Sequence, residues 1–138
     1  MASENSSGPC EGVILLAEDE PAIRNLLRRC LEKAGFCALI AADADEALRL
    51  ASEHPARIDL LISDIQMPGM SGLDLAKTLR RLEPGMRVML MSAYPAGMLV
   101  LDSGWSFLRK PFLPNAFIEK VREILAEPPD RSHFAGRG

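Results

Sequence analysis

Five short apolar segments, separated by stretches of helical periodicity, constrain the fold of this chain more than any other feature. Their ranges are 13–17, 36–41, 58–63, 88–91 and 105–109. The first is a continuous apolar run, which is typical of a parallel strand buried on both faces. Between the segments, Asp43 with Glu46 predicts a capping box, and Ser71 with Asp74 resembles another capping pair. This alternation predicts an α/β fold, a doubly wound five-stranded parallel sheet with helices on both faces.

Length and composition predict one soluble globular domain. The chain has 138 residues, of which 48% are hydrophobic and 25% are charged. We expect a flexible leader at residues 1–10, a folded domain at 11–126 and a disordered tail at 127–138. A net charge of −3 gives no electrostatic basis for binding nucleic acid or an anionic membrane. No apolar stretch is long enough to span a bilayer, and the first residues do not resemble a signal peptide.

The three cysteines, Cys10, Cys30 and Cys37, form no CxxC motif. We interpret Cys30 and Cys37 as small apolar core residues rather than metal or redox groups. The odd number of cysteines and the lack of a signal peptide favour a reducing, cytoplasmic location.

Charged residues directly follow three of the apolar segments. Glu18, Asp19 and Glu20 follow the first segment, Asp64 follows the third and Lys110 follows the fifth. Parallel strands end at the same edge of a sheet, and open α/β sheets bind ligands there. Clustered carboxylates raise one another's pKa unless a cation lies among them. We therefore expect a divalent metal site at this edge, with Lys110 supplying a further positive charge.

Asp64 is the candidate nucleophile, because the loop after it contains a proline and glycines that leave its carboxylate open to solvent. A carboxylate can attack phosphorus and form an aspartyl phosphate, and such transfers usually need Mg²⁺ to neutralise the phosphoryl charge. Mg²⁺ prefers oxygen ligands, which Glu18 and Asp19 can supply. The simpler alternatives are a helix N-cap for the acidic run, which Glu20 before Pro21 fits, and a surface position for the lysine. A cap needs one acid, however, not three.

Four short motifs follow one another along the chain. They are the acid pair at 18–19, the loop Asp-x-x-Met-Pro-Gly-Met-Ser-Gly at 64–72, the Ser-Ala pair at 92–93 and Lys-Pro-Phe at 110–112. Each is weak alone, but together they closely resemble the receiver domain of two-component response regulators, the family of the bacterial chemotaxis regulator. The resemblance covers roughly residues 12–126. It implies a flavodoxin-like fold with strand order 2-1-3-4-5.

The same resemblance implies an acceptor and a metal site. Asp64 would be the phosphoacceptor. Asp19, Asp64 and the backbone carbonyl of Gln66 would bind Mg²⁺ directly, and Glu18 would act on the metal through water. We expect Mn²⁺ to substitute for Mg²⁺.

The resemblance also implies phosphoryl-binding and switch residues. The Ser92 hydroxyl, the Ala93 backbone N–H and Lys110 would contact the phosphoryl group. Ser92 and Phe107 would move together as the conformational switch, in a shift between two populations. The Lys110–Pro111 peptide bond would be cis, which is uncommon for X–Pro bonds in general.

A histidine kinase or a histidine phosphotransfer protein is the implied phosphoryl donor. We expect the protein to act as a switch that controls an unidentified output partner or a linked domain, and not as a turnover enzyme. The chain between Ser92 and Lys110 is shorter than is usual for the family, so we expect a shortened fourth helix there. Homodimerisation is left open.

Two alternatives compete with this interpretation. A docking module that keeps the fold but signals without phosphorylation is motivated by the irregular segment 94–104. A phosphatase with an aspartyl nucleophile would carry a second acid two residues after the nucleophile, and this chain has Gln66 there. Binding of Mg²⁺ distinguishes the first alternative, and multiple-turnover hydrolysis of a phosphoester distinguishes the second.

Overall fold

The computed structural model describes residues 10–54, 56–93 and 105–127, and these residues form five strands and four helices. In chain order they are β1 (Val13–Ala17), α1 (Pro21–Lys33), β2 (Cys37–Ala41), α2 (Ala44–Glu53), β3 (Leu60–Asp64), α3 (Gly72–Leu82), β4 (Arg87–Ser92), β5 (Ser106–Arg109) and α4 (Pro114–Ala126). All strand pairs are parallel, and the strand order is β2-β1-β3-β4-β5. The predicted doubly wound, flavodoxin-like sheet is confirmed.

The helix boundaries follow from local capping chemistry. The Asp43 side chain accepts a hydrogen bond from the Glu46 N–H at 2.8 Å, and Ser71 Oγ accepts one from the Asp74 N–H at 3.2 Å. Both bonds satisfy a backbone donor that the first turn of a helix leaves without a partner. After α1, Gly35 has a φ of 100°, a left-handed conformation that costs glycine nothing and ends the helix.

Alternate residues of β1 contribute to two separate apolar clusters. Ile14 and Leu16 belong to a cluster with buried residues of α1 and α4. Leu15 and Ala17 belong to the other cluster, with buried residues of α2 and α3. Because successive side chains of a strand point to opposite faces, the sheet is covered on both sides. The carboxyl ends of β1, β3, β4 and β5 are thereby held together at one edge.

Two leucines that have the helical spacing of core residues are exposed. Leu26 on α1 is 39% exposed, and Leu82, the last residue of α3, is 67% exposed. Both fit the helical spacing of their neighbours, but Leu26 lies at the margin of the apolar stripe and Leu82 lies where α3 leaves the sheet.

A disulfide between Cys10 and Cys37 corrects the interpretation of the cysteines. Cys37 is paired rather than a free apolar residue, and the bond joins the segment before β1 to the first residue of β2. The backbone bond from the Cys37 N–H to the Gly12 oxygen, 2.9 Å long, holds the same two segments together. Cys30 is free and half-buried against the α1–α4 side of the core. The pairing removes the cysteine count as an argument for a reducing compartment.

Three predictions fall mainly outside the described residues: the leader at 1–10, of which residue 10 is described, the shortened helix within 94–104, and the tail at 127–138, of which residue 127 is described. The proposed domain limits therefore stay predictions. Within the described ranges, no helix combines the length and the apolar character needed to cross a membrane.

Candidate functional site

Two acids at the end of β1 begin the site, and they differ in environment. Glu18 is fully buried, whereas Asp19 is exposed. The Glu18 N–H donates to the Ala41 backbone oxygen of β2 at 3.1 Å, which extends the pairing of these two strands by one residue. Glu18 Oε2 accepts a hydrogen bond from the Glu20 N–H at 3.1 Å. Glu20 stands at the N-cap position of α1, but its own side chain makes no capping bond, contrary to prediction.

Asp64 is the last residue of β3 and lies at the centre of the site. Its Oδ1 accepts a hydrogen bond from the Gln66 N–H at 3.2 Å, and its Oδ2 accepts one from Lys110 Nζ at 2.8 Å. The side chain is 11% exposed, so the carboxylate is largely desolvated and still reachable. Gly72, the first residue of α3, packs directly against the Asp64 backbone, and a Cβ there would collide with the Asp64 carbonyl. Glycine at 72 is thus part of what holds Asp64 in position.

Lys110 connects β5 to the two buried acids. Its N–H donates to the Ser92 oxygen at 2.9 Å, and its bond to Pro111 is cis. Its Nζ lies 3.0 Å from Glu18 Oε1 and 2.8 Å from Asp64 Oδ2. One cation therefore bridges two carboxylates, in the geometry of charge-assisted hydrogen bonds.

The pKa shifts in this cluster follow from burial and from the bridge. Burial raises the pKa of Glu18, and the hydrogen bond from Lys110 opposes that shift without cancelling it. Burial acts to lower the pKa of Lys110, but hydrogen bonds to Asp64 and Glu18 outweigh it and raise the pKa. Lys110 therefore stays charged at neutral pH and partly offsets the negative charge of the acids.

Three carboxylates of the site are close enough to share one metal ion. Glu18, Asp19 and Asp64 each offer an oxygen, and the three oxygens lie within 4.8 Å of one another. An all-oxygen set with one exposed member suits a hard divalent cation that keeps part of its water shell. The donors thus fit the metal that the sequence implied.

The remaining predicted residues lie on β4 and β5. Ser92 ends β4 and is fully buried, and Ala93 follows it on the surface. Ser92 Oγ donates a hydrogen bond to Gln66 Oε1 at 3.0 Å. Phe107 is half-buried on β5, opposite Leu90 of β4, and packs on the α2–α3 side of the core.

Three contributions to the site were not predicted from the sequence. Arg24, in α1, donates from one guanidinium nitrogen to the backbone carbonyl oxygens of Glu18, at 3.0 Å, and of Asp19, at 3.4 Å. It thereby holds the backbone of the acid pair. Its spacing, one helical turn after the acids, was an available signal. The packing role of Gly72 and the side-chain contact of Gln66 depend on the three-dimensional approach of separate segments, so no local pattern indicates them.

The fold and the carboxylate–lysine site together define a flavodoxin-like α/β domain whose chemistry lies at the carboxyl edge of its sheet. Residues 14–122 match the family described as "Response regulator receiver domain". That match covers most of the chain. The chain belongs to the response regulator receiver domain family.

Individual relatives agree with this assignment. Sensor kinase CckA of Brucella abortus (strain 2308) is 34% identical over 116 residues, which cover 81% of this chain and 12% of that protein. Transcriptional regulatory protein CpxR of Escherichia coli (strain K12) is 34% identical over 125 residues, which cover 88% of this chain and 51% of that protein. The chain thus spans at most about half the length of either relative.

Solved structures give the same result. The receiver domain of hybrid histidine kinase CckA is 40% identical, with a TM-score of 0.73 over 83% of this chain and 99% of that chain. The response regulator protein TrrA from Thermotoga maritima, solved in complex with Mg(2+)-BeF, is 33% identical, with a TM-score of 0.71 over 82% of this chain and 98% of that chain.

Proposed function

We propose that this chain is the phosphoacceptor of a two-component phosphorelay and that Asp64 takes a phosphoryl group from phosphohistidine. The observation that carries the proposal is the 2.8 Å contact between Lys110 Nζ and Asp64 Oδ2. It puts a fixed positive charge against the carboxylate that would carry the phosphoryl group. Charge that is in position before the reaction stabilises a transition state more effectively than charge that must reorganise.

The proposed metal is Mg²⁺, with Mn²⁺ as a substitute. Asp19, Asp64 and the Gln66 backbone carbonyl would bind it directly, and Glu18 would reach it through water. The proximity of the three carboxylates supports this assignment. When bound, the ion neutralises charge on the phosphoryl oxygens during transfer.

In the proposed transfer, one Asp64 oxygen attacks the phosphorus in line with the bond to the donor histidine. The new P–O bond forms as the P–N bond breaks, and the electron pair of that bond returns to the imidazole nitrogen. Lys110 stabilises the charge on the phosphoryl oxygens. The Ser92 hydroxyl and the Ala93 N–H donate to those oxygens once the aspartyl phosphate has formed.

The response to phosphorylation is proposed to pass through Ser92 and Phe107. Movement of Ser92 toward the phosphoryl group would open space for Phe107, which lies beside β4 on β5. The change is a population shift, and converting a mostly inactive protein to a mostly active one requires about 5.5 kcal/mol of differential stabilisation.

The proposed partners are a histidine kinase or histidine phosphotransfer protein and an output partner or linked domain. The chemistry is confined to the domain's own phosphorylation and dephosphorylation. We propose a cytoplasmic location, no direct contact with nucleic acid or membrane, and homodimerisation as a property to be measured.

Intact-mass measurement after incubation with acetyl phosphate tests the proposal. The parent, Asp64→Asn and Asp45→Asn would be compared with Mg²⁺ and with a chelator. Asp45 is an exposed acid on α2, so its variant controls for the loss of one carboxylate. We expect one phosphoryl group on the parent and on Asp45→Asn, only with Mg²⁺, and none on Asp64→Asn.

Equal phosphorylation of Asp64→Asn would refute the acceptor assignment. A parent that takes no phosphoryl group from acetyl phosphate or from a phosphohistidine donor, and binds no Mg²⁺ at millimolar concentration, would favour the docking module instead.

A further inference from the structure

The Gln66 side chain contacts the hydroxyl that the proposed switch must move. Ser92 Oγ donates to Gln66 Oε1 at 3.0 Å, and the Gln66 N–H donates to Asp64 Oδ1 at 3.2 Å. Gln66 therefore touches the proposed acceptor through its backbone and the proposed switch residue through its side chain. Ser92 is fully buried at the end of β4, whereas Gln66 is exposed on the loop after β3.

We infer that Gln66 is a positioning residue that holds Ser92 in the orientation it has when Asp64 is unphosphorylated. Gln66 thereby shifts the equilibrium between the inactive and active states toward the inactive one. This inference rests on the proposed function of Asp64. A serine hydroxyl has a single proton to donate. It cannot give that proton both to the Gln66 amide oxygen and to a phosphoryl oxygen on Asp64. The Gln66 bond must break before Ser92 can engage the phosphoryl group.

The hydrogen bond from Ser92 Oγ to Gln66 Oε1, which we call the latch, can break and re-form because Gln66 is exposed. When Ser92 leaves, the amide can turn to water and recover its hydrogen bonds, so release carries no buried unsatisfied group. The latch therefore biases the equilibrium modestly and does not block it. Removing the Gln66 amide oxygen should increase the affinity of the domain for a phosphoryl mimic by about 3- to 10-fold, the range expected for one intramolecular hydrogen bond.

Beryllofluoride with Mg²⁺ is the probe, and its binding is measured by fluorine NMR on the parent, Gln66→Leu and Gln66→Asn. Leucine removes the amide oxygen that accepts from Ser92, and its apolar side chain is one atom shorter than glutamine. Asparagine keeps an amide but shortens the side chain by one methylene, which takes its oxygen out of reach of Ser92. We expect both variants to bind the probe more tightly than the parent.

A double-mutant cycle with Ser92→Ala separates the latch from other effects of position 66. Ser92→Ala has no hydroxyl to donate to Gln66, so Gln66→Leu should change the affinity for beryllofluoride by less than about 2-fold when it is combined with Ser92→Ala. An undiminished gain in the Ser92→Ala background would overturn the inference, because Gln66 would then act on the site by another route. Parent-like affinity of Gln66→Asn would also overturn it.

A metal-free measurement gives an independent readout. Three-bond couplings report the Ser92 side-chain rotamer populations by NMR, and we expect those populations to differ between the parent and Gln66→Leu. Identical rotamer populations in both proteins would contradict the latch. If the parent itself bound no beryllofluoride in the presence of Mg²⁺, the proposed function would fail with it, whereas binding by the parent with no change in the variants would refute only the latch.

Discussion

Replacing Lys110 by methionine tests how the site is held together before any metal or phosphoryl group arrives. Methionine has a similar length but no charge, so Lys110→Met removes the bridge and keeps most of the packing. Two carboxylates then face each other without a cation, and Glu18 and Asp64 are only 1% and 11% exposed in their side chains.

The magnitude follows from that burial. Removing one partner of a buried ion pair costs about 3–5 kcal/mol, because the remaining charge is left without compensation. The Lys110 side chain is 15% exposed, so water relieves part of this penalty. We expect a loss of about 2–4 kcal/mol in the free energy of unfolding, which corresponds to a drop of roughly 6–12 °C in Tm for a domain of this size.

The assay is denaturant and thermal unfolding in chelator, followed by the same measurements in millimolar Mg²⁺. Lys120→Met is the matched control, because Lys120 lies on α4, away from the buried acids, and its Nζ is 3.9 Å from the carboxylate of exposed Glu123. The control should change stability by less than about 0.5 kcal/mol. Mg²⁺ should stabilise Lys110→Met more than it stabilises the parent, because a cation among the acids replaces the lost charge.

Equal stability of Lys110→Met and Lys120→Met in chelator would contradict this prediction. Equal stabilisation of the parent and Lys110→Met by Mg²⁺ would contradict it as well. Either result would mean that the Lys110 bridge contributes little to balancing the charge of the buried acids.

Three further predictions concern the surroundings of the site and the far edge of the sheet. Burial raises the pKa of Glu18 above its ordinary value of 4.5. Between the unfolded and the folded pKa, the folded protein keeps a proton that the unfolded chain releases. The contribution of Glu18 to stability therefore grows as pH falls through this range and is lost above the folded pKa. Metal-free Glu18→Gln should therefore show a flatter dependence of unfolding free energy on pH above 4.5, and a slope unchanged from the parent would contradict this. Gly72→Ala should cost about 1–3 kcal/mol in chemical unfolding and slow phosphorylation by acetyl phosphate, because the added Cβ displaces the Asp64 backbone; unaltered phosphorylation would refute that coupling. Protein with the Cys10–Cys37 bond, which spans 27 residues, should lose about 3–4 kcal/mol on addition of a reducing agent, whereas Cys10→Ser should not respond to that agent.

The fold was largely predictable because its determinants are local. Continuous apolar runs separated by helical periodicity specify parallel strands buried on both faces, and the Asp43 and Ser71 caps are readable from four-residue windows. Departures occur where local periodicity and tertiary position diverge. Leu82 has the right spacing for the core but lies at the end of α3, and it is 67% exposed.

The site was predictable in its membership and less so in its contacts. Residues that directly follow strands must meet at the carboxyl edge, which is why Glu18, Asp64 and Lys110 could be grouped from the sequence. Their division of labour could not be deduced that way. A single Lys110 Nζ touching two acids, and a glutamine side chain holding Ser92, depend on distances between segments far apart in the chain. The Cys10–Cys37 pairing was missed for the same reason.

Identification of the phosphorylated residue decides whether Asp64 is the phosphoacceptor. Borohydride reduces an aspartyl phosphate to homoserine, so protein phosphorylated with acetyl phosphate and Mg²⁺ would be reduced, digested and sequenced by tandem mass spectrometry. We expect homoserine at position 64 and an intact aspartate at position 19. Homoserine at position 19, or a phosphoryl group retained on Ser92, would contradict it.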